Sequence, residues 1–267
     1  MNENIIVVKL GGSIFAEKDT SLADLAELYH QGKHLVVVHG GASKVSEWME
    51  KLGIAVQMID GERVTPPASL EVVTAVLSGL MNKEICAAFL DMQVKACGLS
   101  GVDGAITTGK ARGGEMGLMG DVTQVNPLLL QTLLQQRFLL IISPVSFCAP
   151  ADRVIDGQRL LNINGDPLAG ALAVALKAEH LVFLTDTMGV KDNNGKILPS
   201  LIPQTANSLI EQKVAKGGMV PKLKAAVAAS QNGVKVAIID GRQPHALLRQ
   251  LHGQNLGTIV EQGKANE

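Results

Sequence analysis

Ile5-Ile6-Val7-Val8-Lys9-Leu10-Gly11-Gly12-Ser13 is the stretch whose reading decides the fold. Four β-branched residues in a row describe a strand covered on both faces, as in a parallel sheet lined by helices. A lysine stands where that strand should end, and two glycines follow. A lysine is seldom set against such a core unless its charge has a partner. Paired glycines let a backbone approach a ligand closely and leave N–H groups free to cradle an anion. Two readings stand at this point. Lys9 reaches into an anion site at the carboxyl edge of a parallel strand, or it snorkels to solvent beside a plain Gly-Gly turn.

Working outward, the same pattern returns. His34 to His39 is a second β-branched run, and Gly40-Gly41 follows it. Between the two runs, Ser21 to His30 carries apolar residues at helical spacing. Ser43 is expected to cap a helix from Lys44 to about Leu52. Ile54 to Val64 reads as a hairpin turning at Asp60-Gly61, and Ser69 as the cap of a long helix from Leu70 to about Leu90. Val94–Leu99, Ala105–Thr108, Asp121–Val125, Phe138–Ile142, Leu181–Leu184, Val234–Ile239 and Thr258–Val260 read as strands. Helices are expected from Pro127 to Gln136, over an alanine-rich stretch that Leu160 to Asp166 leads into and that reaches Ala178, over Thr205–Lys213 and over Met219–Gln231. Strands alternating with helices predict an α/β fold with a mostly parallel sheet between two helical layers. No change in composition divides the chain, so residues 1–267 read as one domain of two lobes sharing one sheet.

Composition narrows the function. The 267 residues carry 46% hydrophobic and only 3% aromatic residues, so the core is aliphatic. A formal net charge of −1 gives no nucleic-acid footprint. Cys86, Cys97 and Cys148 are scattered, with neither metal spacing nor a disulfide framework, which fits a reducing cytoplasm. No apolar run is expected to reach membrane-spanning length. Gly104-Ala105-Ile106-Thr107-Thr108-Gly109-Lys110 imitates a P-loop, but Ala111 stands where a hydroxyl is needed and no helix opens there. There is no dinucleotide fingerprint and no nucleophile elbow.

The remaining charged residues follow strands or open helices. Lys222 lies near the start of a helix behind Gly217-Gly218, where the dipole disfavours a cation; solvent exposure is the plain alternative to a ligand role. Asp166 lies near a helix start, where an acid is favoured anyway. Asn162 and Asn164 alternate with apolar neighbours and share a face.

In chain order, Lys9-Leu10-Gly11-Gly12, His39-Gly40-Gly41, Gly61-Glu62-Arg63-Val64-Thr65, Asn82-Lys83-Glu84 and Gly98 to Gly104 form a pattern. It continues with Gly120 to Asn126, Asn162 to Asp166, Thr185-Asp186 and Gly217 to Lys222. Over nearly the whole chain this resembles the amino acid kinase family, and within it the members that phosphorylate the side-chain carboxylate of N-acetyl-L-glutamate. The resemblance implies an open eight-stranded sheet in a three-layer αβα sandwich. Its N-terminal lobe, about residues 1–175, would hold the acylated amino acid, and its C-terminal lobe, about 176–267, the nucleotide. It implies that Lys9 and Lys222 stabilise the transition state and that Asp166 orients them. Gly41, Ala42, Arg63 and Asn162 would hold the amino acid. Gly11, Gly12, Asp186, Thr187, Met188, Gly189, Val190, Lys191, Val214, Ala215 and Lys216 would contact ATP, whose phosphates would carry Mg2+.

The resemblance further implies a homodimer insensitive to arginine. Ala42 departs from a third glycine and Glu62 from a leucine; Glu62 is expected on the outer face of the hairpin. A kinase for carrier-linked aminoadipate and a non-catalytic binding protein on the same scaffold are the competing readings.

Overall fold

The computed structural model describes residues 4–11, 20–155 and 157–262. Ile5–Leu10 and His34–His39 are parallel neighbours at the centre of an eight-stranded sheet. From one edge the strands are Ser200–Leu201, Gly257–Val260, Lys235–Asp240, His180–Thr185, Ile5–Leu10, His34–His39, Leu139–Ser143 and Ala96–Ser100. Six run parallel. Gly257–Val260 opposes its neighbour Lys235–Asp240, and Ser200–Leu201 runs with Gly257–Val260.

Alternation along the first strand explains its unbroken apolar run. Ile5 and Val7 join the core on one face, and Ile6, Val8 and Leu10 the core on the other. The first face is covered by helices Gly165–Ala175, Met219–Gln231, Pro203–Glu211 and Leu128–Gln135. The second is covered by helices Ser21–His30 and Ala246–Leu251 and by the end of a long helix, Pro67–Asp91. The same alternation aims Lys9 at the face of Ile5 and Val7, where the Gly165 helix lies.

That helix and the Met219 helix pack closely enough that a Cβ on Gly170 would lie 3.1 Å from the Ala225 Cβ and 3.2 Å from its carbonyl oxygen. Asp166 is four residues before Gly170, and Lys222 three before Ala225. Both therefore sit one turn back on the facing sides.

Several local expectations need correction. The Ala42–Lys51 helix starts behind Gly41, at φ 147°, and Ser43 lies inside its first turn rather than capping it. A Cβ on Gly41 would fall 2.2 Å from the Met81 sulfur, so only glycine fits. The long helix begins at Pro67, in a first-turn position proline suits, and Ser69 lies within it, its hydroxyl buried and unpartnered. At 25 residues it is also long and apolar enough to cross a membrane, against the expectation that no run would be. Half of its most apolar window is buried, with Val73, Val76, Ile85 and Phe89 in the core. Its middle, Thr74–Met81, widens into a π-helix that sets Leu77 and Met81 against Gly41.

The hairpin shrinks to Met58–Ile59 paired with Glu62–Arg63. Four short strands, Leu160–Ile163, Met119–Val125, Thr107–Ala111 and Val145–Cys148, close into a small barrel beside it. The P-loop imitation runs into this barrel as strand Thr107–Ala111, with Lys110 exposed.

Replacing Gly170 with valine should force the two helices apart. Overpacking of this kind costs about 1–3 kcal/mol, so Gly170→Val should lower the midpoint of thermal unfolding. A variant as stable as the parent would show that the helix contact is not tight.

Candidate active site

The first strand ends at Lys9, Leu10 and Gly11, and its neighbours end at Thr185-Asp186, Gly241-Arg242 and Ala42. All of these line one cleft of about 790 Å³ at the carboxyl edge of four adjacent parallel strands. Asp166, Thr187, Lys216 and Lys222 complete it.

At its floor two amines far apart in the chain meet one carboxylate. The Lys9 ammonium lies 2.8 Å from Asp166 Oδ1. Lys222 Nζ donates to Oδ2 at 2.9 Å. Asp166 is 4% and Lys222 6% exposed, so these are charges withdrawn from water. Burial alone would push the Asp166 carboxyl up. The charges and hydrogen bonds of Lys9 and Lys222 outweigh it and hold the carboxyl below its ordinary range. Burial pushes the Lys222 ammonium down from its ordinary value, Lys9 works in the same direction, and Asp166 and Asp186 oppose it. Lys222 Nζ also lies 5.1 Å from the centre of the Phe183 ring, a cation–π contact. Lys9, Lys216, Lys222 and Arg242 against Asp166 and Asp186 leave the lining positive, a site for anions.

The Gly40-Gly41 backbone is fixed from below. His39 is fully buried, which drives its imidazole down to about 4 and keeps it neutral at physiological pH. Its Nε2 faces the Asn82 amide at 3.3 Å and its Nδ1 the Gly40 carbonyl at 2.9 Å. With Asn82 Nδ2 donating to Nε2, Nδ1 carries the proton and donates to Gly40. Asn82 Nδ2 also lies 3.0 Å from the Ile141 carbonyl, and Lys83 donates to Asn82 Oδ1 at 2.9 Å. The sequence pattern singled out His39 and Asn82 without giving either a task. The helix that begins at Ala42 then presents its N-terminus to the cleft, where an anion is favoured.

Not every residue named from sequence lines the cleft. Arg63 is 6% exposed and grips the helix that starts at Ala42. Its Nη2 donates to the Ala42 carbonyl at 2.8 Å and to Ser46 Oγ at 2.7 Å. Asn162 donates to Thr65 Oγ1 at 3.0 Å, behind the hairpin. Gly189 and Val190 turn inward, and the Val190 amide donates to Thr258 Oγ1 at 2.8 Å. Ala215 is buried and Met188 exposed. Lys191, Val214 and Lys216 border a second depression of about 510 Å³, which shares Lys216 with the cleft. Gly12 lies outside the described residues.

Glu62 reverses its expected orientation: it turns inward, with its side chain 12% exposed, paired with Arg112 and accepting from Asn164. Arg242 was missed. It follows Asp240, which it pairs with at 2.8 Å, and the strand's end was the signal for it.

An open α/β sheet with an anion cleft at its carboxyl edge and two lysines on one aspartate suits the transfer of a phosphoryl group between two anions. The chain belongs to the amino acid kinase family, whose sequence model matches residues 4–240. It is 51% identical to an acetylglutamate kinase of Dehalococcoides mccartyi over 259 residues, 97% of this chain and 95% of that one. Acetylglutamate kinases of Parasynechococcus marenigrum and Caulobacter vibrioides are 40% and 36% identical, each over 96% of this chain and over 88% and 90% of their own. A solved structure from Streptococcus mutans UA159 superposes with a TM-score of 0.80 at 27% identity, covering 98% of this chain and all of that one. A Giardia carbamate kinase, at 15% identity and a TM-score of 0.69 over 97% and 99% of the two chains, shares the fold. The chain is accordingly an ATP-dependent kinase of a carboxyl group.

Because the folded-state Asp166 carboxyl is held below its ordinary value of 3.8, its contribution to stability is complete above that value. It is lost as pH falls through the depressed one. Asp166→Asn should destabilise by about 3–5 kcal/mol at neutral pH, the cost of breaking a buried pair. Urea unfolding of both proteins should show the gap narrowing at acid pH; a gap independent of pH would contradict this.

Proposed function

We propose that the chain transfers the γ-phosphoryl group of MgATP to the side-chain carboxylate of N-acetyl-L-glutamate, the acetylglutamate kinase reaction that serves arginine biosynthesis. The observation that carries this is the convergence of Lys9 and Lys222 on Asp166 inside the cleft. The acceptor carboxylate is ionised at neutral pH, so the reaction needs no general base. The barrier lies in bringing one anion in line with another and stabilising charge on the transferring oxygens. In this reading Lys9, from the first strand, contacts the transferring group and the acceptor. Lys222, from the opposite helix, meets the leaving side. Asp166 occupies neither substrate: both its oxygens are engaged by ammoniums, which holds the amines close against their mutual repulsion and leaves one net positive charge facing the anions.

The amino acid would sit over the Gly41-Ala42 backbone, whose helix N-terminus favours a carboxylate. Arg63 reaches that helix start through the Ala42 carbonyl. We retain it as the ligand of the substrate's α-carboxylate, with Asn162 serving the acyl amide. Nucleotide phosphates would lie against Gly11, Asp186, Thr187 and Lys216, with the base towards Lys191 and Val214 around the adjoining depression. Magnesium enters with ATP as part of the substrate. A homodimer in the cytoplasm completes the proposal, from the family resemblance.

Turnover should be measured with N-acetyl-L-glutamate and with a carrier-linked aminoadipate as acceptors. Activity confined to the second acceptor, or nucleotide binding without turnover on either, would replace this reading. Lys9→Met and Lys222→Met should each lower kcat by about 100-fold or more while moving the KM values much less; wild-type turnover in either removes that lysine from the mechanism. Arg63→Ala should instead raise KM for the acyl amino acid by about tenfold or more, and a rise selective for ATP would contradict its assignment.

A further inference from the structure

Asn164 is the residue on which the Gly165–Ala175 helix begins, and its side-chain Oδ1 accepts the Asp166 backbone N–H at 3.0 Å. Its other end, Nδ2, donates to Glu62 Oε1 at 2.9 Å. The second Glu62 oxygen, Oε2, is taken by Arg112 Nη1. Arg112 is itself braced by Asp121, with Nε 3.0 Å from both carboxylate oxygens and Nη2 2.6 Å from Oδ1.

An asparagine amide has a donor end and an acceptor end of nearly equal size. Turned over, Asn164 would face the Asp166 N–H with its own N–H groups and the Glu62 carboxylate with its oxygen. Both contacts would be repulsive. The carboxylate is an acceptor only, so it admits one orientation of Asn164, and that orientation caps the helix. Arg112, shared with Asp121, offsets part of the Glu62 charge and occupies the oxygen that Asn164 does not use.

We propose that Glu62 is a positioning residue for the Lys9–Asp166–Lys222 cluster, acting by locking the Asn164 side-chain amide in the orientation that holds the backbone of Asp166. Two residues beyond Asn164, that backbone carries the carboxylate on which both lysines converge. Glu62 touches neither lysine and does not line the cleft that they share. Its effect on turnover passes through Asn164 and Asp166. This rests on the kinase reading for its kinetic consequence, but not for the geometry.

The test uses Glu62→Met, which keeps the side chain's reach and removes the acceptor, together with Asn164→Ala and the double variant. Small misplacements of catalytic groups cost up to about 100-fold. Glu62→Met should lower kcat by about tenfold with KM for MgATP within about twofold. Added to Asn164→Ala, it should cost nothing further. Wild-type kcat in Glu62→Met, or losses that multiply in the double variant, would overturn the proposal.

A second readout is independent of activity and is taken on the wild-type protein and on Glu62→Met. The Asn164 side-chain amide protons, followed by NMR, should be protected from exchange in the wild type and unprotected in Glu62→Met. Equal protection in both, or no protection in the wild type, overturns the lock. If the wild type exhibits this protection yet does not phosphorylate acetylglutamate, the kinase reading fails and the lock stands.

Discussion

One carboxylate between two ammoniums is the constraint on which this structure depends. Each lysine alone would be costly to bury, and two together repel. An attraction across about 4 Å is worth on the order of 4 kcal/mol at an effective dielectric near 20. Asp166 supplies two such attractions, one through each oxygen, at 2.8 and 2.9 Å. The lysines approach different oxygens, so their mutual repulsion acts over a longer distance than either attraction. The cluster keeps a net positive charge, and a cleft that must gather two anions needs that surplus rather than neutrality.

The fold brings these groups together by two simple periodicities. Residue 9 lies an even number of positions from residues 5 and 7, which fixes the sheet face it looks onto. Asp166 and Lys222 each stand one helical turn before a point of close helix contact, Gly170 against Ala225. A side chain at position 170 would widen that contact and draw apart the acid and the amine one turn away. The glycine therefore bears on the geometry of the site as well as on packing.

The parts of the site that were legible in the sequence rest on strong local signals. β-Branched runs ending in Lys9-Leu10-Gly11 and His39-Gly40-Gly41 fix strands and their carboxyl edges, and sheet order then carries those edges to one cleft. What failed depends on non-local pairing. Ser43 and Ser69 satisfy a local capping rule, but Gly41 and Pro67 open the helices, because the Gly41 conformation and the proline ring decide the entry angle. The small barrel is closed by pairings between strands about forty residues apart, such as Thr107–Ala111 with Val145–Cys148, which periodicity alone does not encode. The outward expectation for Glu62 fails for the same reason: an acid beside an anionic substrate repels it, and only a distant partner can offset that. Its partner Arg112 lies 50 residues away, and that pairing, shared with Asp121, offsets part of the repulsion.

The hairpin, only two residues per strand, ties the site together through three consecutive positions. At Gly61, φ is +82°, and a Cβ there would meet the Gly218 nitrogen at 3.0 Å and the Gly217 carbonyl carbon at 3.2 Å. No side chain fits between the turn and the loop that leads into the Lys222 helix. Glu62 holds Asn164, at the start of the Asp166 helix. Arg63, pointing the other way as strand alternation requires, holds the carbonyl of Ala42, at the start of the helix offered to the amino acid. Two walls of one cleft are thus bonded to neighbouring residues of a single short turn, and a third is packed against it. A hairpin of this size has little stability of its own in water. Its shape is set by the walls it joins, which lie within a backbone path of two residues of one another.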